Sequence, residues 1–121
     1  PDIAIAVDVT DTGDMPERKT PMAVDMGKGP AVKVMDRSVI CTPAVCDALE
    51  QAGADCAVPT QREIMPFGGT DTAALQKARA GVQAGAVSIP TRYVHSPSEM
   101  CAASDVEGAA KLLAQFAVSP N

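Results

Sequence analysis

The chain has 121 residues, which fits one domain, and 46% of them are hydrophobic, enough for a domain that buries roughly two thirds of the surface its unfolded chain exposes. Aromatic residues make up only 2%, so the core must be built from Ala, Val, Ile, Leu and Met. Ten basic against fifteen acidic residues give a net charge of −5, which argues against a nucleic-acid partner, and no apolar run of about 18 residues is present to span a membrane.

No basic segment followed by an apolar stretch opens the chain, so no secretory signal is expected. Pro1 stands where an initiator Met would, so we expect a processed chain, a fragment or an incompletely represented protein. The four cysteines, Cys41, Cys46, Cys56 and Cys101, include no C-x-x-C pair. They read as buried or free thiols in a reducing cytoplasm, with a disulfide or metal role as the alternative.

In chain order, "DIAIAVDVT" is a continuous apolar run that predicts a central strand buried on both faces. The polar stretch that follows, up to Pro30, holds three Gly and three Pro and predicts a long loop. "AVKVMD" predicts a second strand. "CTPAVCDALEQAGA" predicts a helix with Thr42 as cap, Pro43 at its first position and Gly53 just past its end, burying Val45, Leu49 and Ala52. "VPTQREIMP" predicts a third strand with Val58, Ile64 and Met65 available to the core.

"FGGTDTAALQKARAG" predicts a glycine turn and a helix capped by Thr70 or Asp71 and closed near Gly81. "AGAVSIP" predicts a fourth strand, and "TRYVHSPSEM" a loop or short extension after it. A last helix is expected from Ser104, with Ser104 and Glu107 as a capping box and Val106, Ala109, Ala110, Leu113 and Phe116 as its apolar stripe. Alternating strands and helices imply an α/β layered domain with a largely parallel or mixed sheet.

Functional groups in such sheets collect where strands end. Asp8 lies at the end of the first strand and His95, the only histidine, just past the fourth. Together they could share a divalent metal, since carboxylate and imidazole suit zinc, cobalt or manganese. Taken singly, Asp8 reads more readily as a turn or cap residue and His95 as a structural one. The acidic loop after Asp8 fails the EF-hand pattern, because Lys19 stands where its closing Glu belongs, so Asp11 and Asp14 read as solvated turn residues. "FGGTDT" is either an ordinary turn or a nest of N–H groups for an anion or peptide carbonyl, and it lacks a P-loop Lys. No G-x-S-x-G elbow is present.

Taken in order, "VDVTDTGDMP", "GKGPAVKVMDRS", "GGTDTAALQ", "SIPTRYVHSPSEM" and "DVEGAAKLL" resemble the C-terminal part of the cytosolic dinuclear metalloaminopeptidases of the tetrahedral-aminopeptidase class. That class includes deblocking and glutamyl aminopeptidases and proteins described as cellulase M or endoglucanase. The resemblance implies a three-layer α/β/α sandwich with a mixed, largely parallel sheet, of which residues 1–121 are the C-terminal portion of the catalytic domain. The upstream part and an inserted dimerisation domain are not in this sequence.

The resemblance further implies two divalent metals, zinc or cobalt, with Asp8 a terminal ligand of one and His95 of the other. Gly68, Gly69, Thr70 and Asp71 would line the substrate cleft, while Arg92 and Tyr93 would support His95. The implied chemistry is attack of a metal-activated water on the first peptide bond. The family's other His, its bridging Asp and its Glu-Glu pair with the general base are not here. The segment alone is therefore expected to be inactive, to bind metal weakly and to leave an exposed sheet edge. Expected partners are peptide substrates, the rest of the same enzyme and, when intact, further copies of itself, with no nucleic acid and no membrane. The alternative is a non-catalytic α/β binding or assembly module.

Overall fold

A computed structural model describes residues 1–16 and 20–119; Lys19 lies outside the described residues. The elements are β1 (Ile3–Asp11), β2 (Ala31–Met35), α1 (Pro43–Asp55), β3 (Gln61–Ile64), α2 (Thr72–Gln76), β4 (Gln83–Arg92), β5 (Met100–Cys101) and α3 (Ala103–Val118). The strands form a mixed sheet in the order β1-β4-β2-β3, with β5 added to β4. The long pairings are parallel: β1 runs beside β4 from Ile3↔Gln83 to Asp11↔Thr91, and β2 runs beside β3. Short antiparallel pairings join β2 and β5 to β4. The result is the α/β fold with a mixed sheet that the alternation of elements predicts.

The centre of this sheet is β4, whose "AGAVSIP" is buried almost throughout. Pro90 falls between the residues paired to β2 (Val87, Ser88) and those paired to β5 (Thr91, Arg92), where its missing N–H interrupts neither ladder. Helices α1 and α3 pack on each other and on the sheet through Val32, Val45, Leu49, Val87, Ala109, Leu112 and Phe116. Small residues set the spacing. A Cβ on Gly85 would lie 2.7 Å from the Val45 side chain, so α1 sits directly on the β4 backbone. This is how a core with 2% aromatics fills its volume.

Five expectations are corrected. First, β1 is an outer strand among the described residues, paired only with β4, and Val7 is 54% exposed on a face of the sheet left uncovered there. Ile64 is 53% exposed on β3 at the opposite edge, whereas Val58 and Met65 are buried as expected.

Second, Gly53 does not end α1. It sits inside the helix, where a Cβ would lie 2.7 Å from Thr60, and left-handed Ala57 (φ 56) follows the helix end. Thr42 precedes the helix, but its hydroxyl accepts the Ala84 N–H at 3.1 Å rather than capping the helix. Third, α2 has only five residues and neither Thr70 nor Asp71 caps it through a side chain.

Fourth, α3 starts at Ala103 without the Ser104–Glu107 box; Val106 and Ala110 are exposed, and the buried row is Asp105, Gly108, Ala109, Leu112 and Phe116. The helix is turned so that Asp105 meets residues 27–29, accepting the N–H groups of Gly27 (2.7 Å) and Gly29 (2.9 Å). Fifth, residues 100–101 form a strand rather than loop. The cysteines are free: Cys41 and Cys46 buried, Cys56 half-buried, Cys101 exposed. Among the described residues no helix is long and apolar enough to cross a membrane.

Candidate active site

Because β1 and β4 run parallel, their carboxyl ends lie side by side, where open α/β sheets place ligands. A cavity of about 240 Å³ opens there. Asp8 to Asp11 of β1 form one wall; Met65 and Phe67 to Thr70, after β3, form another; Val94 and His95, after β4, complete it. Two residues near opposite ends of the chain, Asp8 and His95, thus share one cavity with Gly68, Gly69 and Thr70.

Asp8 is half-buried and lies three positions before the end of β1, not at it. Its carboxylate accepts the N–H of Val9 at 2.8 Å. His95 is exposed at the tip of the loop joining β4 to β5. That loop is closed by the Thr91↔Cys101 and Arg92↔Met100 pairs, so the two-residue strand β5 is the clamp that presents the histidine. Both Tyr93 (φ 59) and His95 (φ 62) are left-handed. For residues with a Cβ this costs about 1–2 kcal/mol each. The His95 N–H donates to the Glu99 carboxylate at 2.5 Å, which helps hold the strained turn. Strain of this kind clusters where a side chain must be aimed.

In the turn after β3, Gly68 is left-handed (φ 69). A Cβ on Gly69 would lie 2.8 Å from the Ser38 hydroxyl, so the chain runs close to that loop. The Thr70 hydroxyl donates to Asp36 at 2.9 Å. Asp71 is exposed at the start of α2 and does not line the cavity.

Arg92 and Tyr93 do not line it either. Arg92 is paired with Asp14, its Nη2 2.5 Å and Nε 3.3 Å from the carboxylate, which ties the loop after β1 to the end of β4. Asp14 is therefore an ion-pair partner rather than a solvated turn residue. The Arg92 hydrogen bond, opposed by burial, lowers the Asp14 carboxyl from 3.8 to about 2.

A depressed carboxyl stabilises the fold above its unfolded value and loses that contribution as pH falls through its folded value. Arg92→Gln is thus expected to cause a modest loss of stability at pH 7, in the range of a surface ion pair. The difference from the parent should close between about pH 4 and pH 2 in acid denaturation. A difference that persists unchanged at pH 2 would count against the ion pair as its origin.

Sequence reasoning missed the groups behind the cavity walls. Lys33 of β2 and Glu63 of β3, register partners, are fully buried and hydrogen-bonded through Lys33 Nζ and Glu63 Oε1. Lys33 Nζ also lies 3.6 Å from Asp36 Oδ2. Burial raises the Asp36 carboxyl, but donors from Ser38 and Thr70 together with the Lys33 charge outweigh it and hold the group below the usual range. Thr10, which lines the cavity, donates to Glu63 Oε1 at 2.9 Å.

Asp8 and His95 offer one carboxylate and one imidazole to the same space, donors that divalent zinc, cobalt or manganese accepts. They fit as one ligand each. A catalytic zinc takes about three protein ligands, and among the described residues no group of three or more His, Cys, Asp and Glu could hold a metal.

The sequence profile of the M42 glutamyl aminopeptidases matches residues 1–112. A curated relative from Acetivibrio thermocellus, classed with the aminopeptidases, is 52% identical over 115 residues, covering 95% of this chain and 34% of its own. An aminopeptidase from the archaeon Desulfurococcus kamchatkensis superimposes with a TM-score of 0.90 at 34% identity, covering 100% of this chain and 35% of that one. The TET1 peptidase of Pyrococcus horikoshii, described as able to assemble into a tetrahedron or a large octahedral shell, superimposes with a TM-score of 0.84 at 27% identity, covering 99% and 34%. The chain spans about a third of the length of these relatives.

Proposed function

The chain belongs to the M42 glutamyl aminopeptidase family, and from that premise we propose that the intact protein is a dinuclear metal-dependent aminopeptidase in which Asp8 and His95 each hold one divalent metal. The observation that carries this reading is that both side chains line one cavity at the carboxyl ends of the parallel strands β1 and β4.

When bound, a pair of zinc or cobalt ions supplies an activated water at neutral pH and stabilises charge on the scissile carbonyl oxygen. The residues of this chain do the positioning. Asp8 contributes negative charge from a rigid strand. His95 presents its imidazole from a turn fixed by Glu99 and β5. Gly68 and Gly69, without side chains, let a peptide backbone approach the wall next to Thr70. Arg92 acts at one remove, holding the base of the His95 loop to Asp14. The general base and the remaining ligands come from the part of the enzyme outside these 121 residues, which therefore hydrolyse nothing alone and bind metal weakly.

The substrates are peptides with a free N-terminus. Self-assembly of the intact protein is supported by the shells described for the Pyrococcus horikoshii neighbour. A cytoplasmic setting is supported by four free thiols. The second reading, a non-catalytic binding or assembly module, draws on the two-donor site and on the exposed Val7 of β1, an outer strand among the described residues.

The test is release of N-terminal residues from short peptides by the intact protein and by the 121-residue segment. We expect release by the intact protein, lost on chelation and restored by zinc or cobalt, and none by the segment. Activity that survives complete metal removal would overturn the metal reading, and a metal-loaded intact protein that releases nothing would favour the second one.

A further inference from the structure

We propose that Lys33 is a positioning residue that sets the separation of the two cavity walls, acting through Glu63 on Thr10 and through Asp36 on Thr70. The inference rests on the aminopeptidase reading for its kinetic consequence but not for its geometry. Lys33 does not itself line the cavity. Its ammonium lies between two carboxylates, bonded to Glu63 Oε1 and 3.6 Å from Asp36 Oδ2.

Each carboxylate in turn receives a hydroxyl from one wall: Thr10 from β1 at 2.9 Å, Thr70 from the turn after β3 at 2.9 Å. One buried cation therefore sits at the junction of two arms that end on opposite sides of the site. Thr10 lies two residues beyond Asp8 on the same strand and the same face, so a shift of that arm moves the candidate ligand with it.

The network also fixes proton direction. A carboxylate paired to an ammonium only accepts, so Thr10 and Thr70 must donate away from the cavity and offer it lone pairs. Asp36 is further fixed by Ser38 (N–H and hydroxyl, both 2.7 Å) and the Val39 N–H (3.1 Å). Glu63 has no such support: its Oε2 is buried without a hydrogen-bond partner among the described residues. Of the two carboxylates, Glu63 is thus the one whose orientation depends most on Lys33, while the β1 backbone itself is held by its ladder with β4.

The test uses the intact enzyme. Lys33→Met leaves two buried carboxylates without their cation, so its folding can fail for that reason alone. Lys33→Met combined with Glu63→Gln removes one cation and one anion together and keeps an acceptor for Thr10. In this folded double variant we expect amide hydrogen exchange at residues 8–11 of β1, beside the altered Glu63–Thr10 arm, to accelerate by about tenfold, a readout independent of any activity. We also expect kcat to fall at least about tenfold while bound metal stays at the parent level, as for groups that orient ligands without being ligands.

Parent-like exchange and parent-like kcat in the double variant would overturn the proposal and leave Lys33 as a charge partner only. Should the parent itself lack peptidase activity, the function reading fails while the exchange result still decides this one. Thr10→Val against Thr10→Ser tests the β1 arm without disturbing any charge: the serine should retain kcat within about threefold, and the valine should lose at least about tenfold and match the double variant in its exchange at residues 8–11. Equal kcat in Thr10→Val and the parent would overturn it.

Discussion

Replacing His95 with alanine in the intact enzyme is expected to lower kcat for release of an N-terminal residue by more than about a hundredfold. Residues that only orient a metal ligand cost about 10–100-fold when removed, and a ligand itself stands above that range. The fold has little reason to respond. His95 is exposed, its side chain is not part of the core, and the bond that holds its turn is made by its backbone N–H to Glu99. His95→Gly sharpens the separation. At φ 62 glycine relieves a left-handed strain of about 1–2 kcal/mol, and this offsets the chain entropy that glycine adds. That variant should melt near the parent and be as inactive as His95→Ala. Activity within tenfold of the parent in either variant would remove His95 from the site.

A large stability effect is expected at Asp105→Ala, a loss of roughly 2 kcal/mol. The carboxylate is buried in the first turn of α3, and each oxygen accepts one backbone N–H, from Gly27 and from Gly29. Alanine leaves the buried Gly29 N–H without an acceptor, at about 1–3 kcal/mol, while the exposed Gly27 N–H turns to water. The Gly29 end of the loop cannot swing out to find water. Gly29 is left-handed (φ 96), and its Cα approaches the Pro59 carbonyl so closely that a Cβ there would lie 2.0 Å from the oxygen. Asp105→Asn keeps one acceptor and is expected to lose about half as much. A change under about 1 kcal/mol for the alanine variant, read from denaturation midpoints of the intact enzyme, would contradict this account.

Asp105 also marks a limit of reading the sequence. The segment "SDVEG" fits a capping box, because Ser and Glu stand three apart before an apolar run. The structure instead gives the helix start to a partner 76 residues earlier in the chain, and spacing within a helix carries no trace of such a contact. The same holds for β1. A continuous apolar run is legible as a strand, but whether it lies inside or at the edge depends on which strands pair with it. By contrast the body of β4 was legible, because "AGAVSIP" is both apolar and small, and small residues are what a helix needs in order to lie on a strand; its extension to Arg92 and its central place in the sheet were not.

Within the site, Asp8, Gly68, Gly69, Thr70 and His95 were legible through the order of their motifs, not through any one of them. Lys33, Glu63 and Asp36 were not. A lysine inside "AVKVMD" reads as the solvated position of an alternating strand, and only the register with Glu63 turns it into a buried pair. The two-residue strand β5 is too short to announce itself, although it shapes the loop that carries His95.

The central claim is that Asp8 and His95 are ligands of two different metals in one site. Anomalous diffraction from crystals of the intact, metal-loaded enzyme, collected at the absorption edge of the bound metal, tests it most directly. The account predicts two peaks about 3.5–4 Å apart in the cavity, with an Asp8 carboxylate oxygen about 2.0–2.2 Å from one and a His95 ring nitrogen about 2.0–2.1 Å from the other. A single peak, or two peaks with either side chain turned away from both, would contradict it.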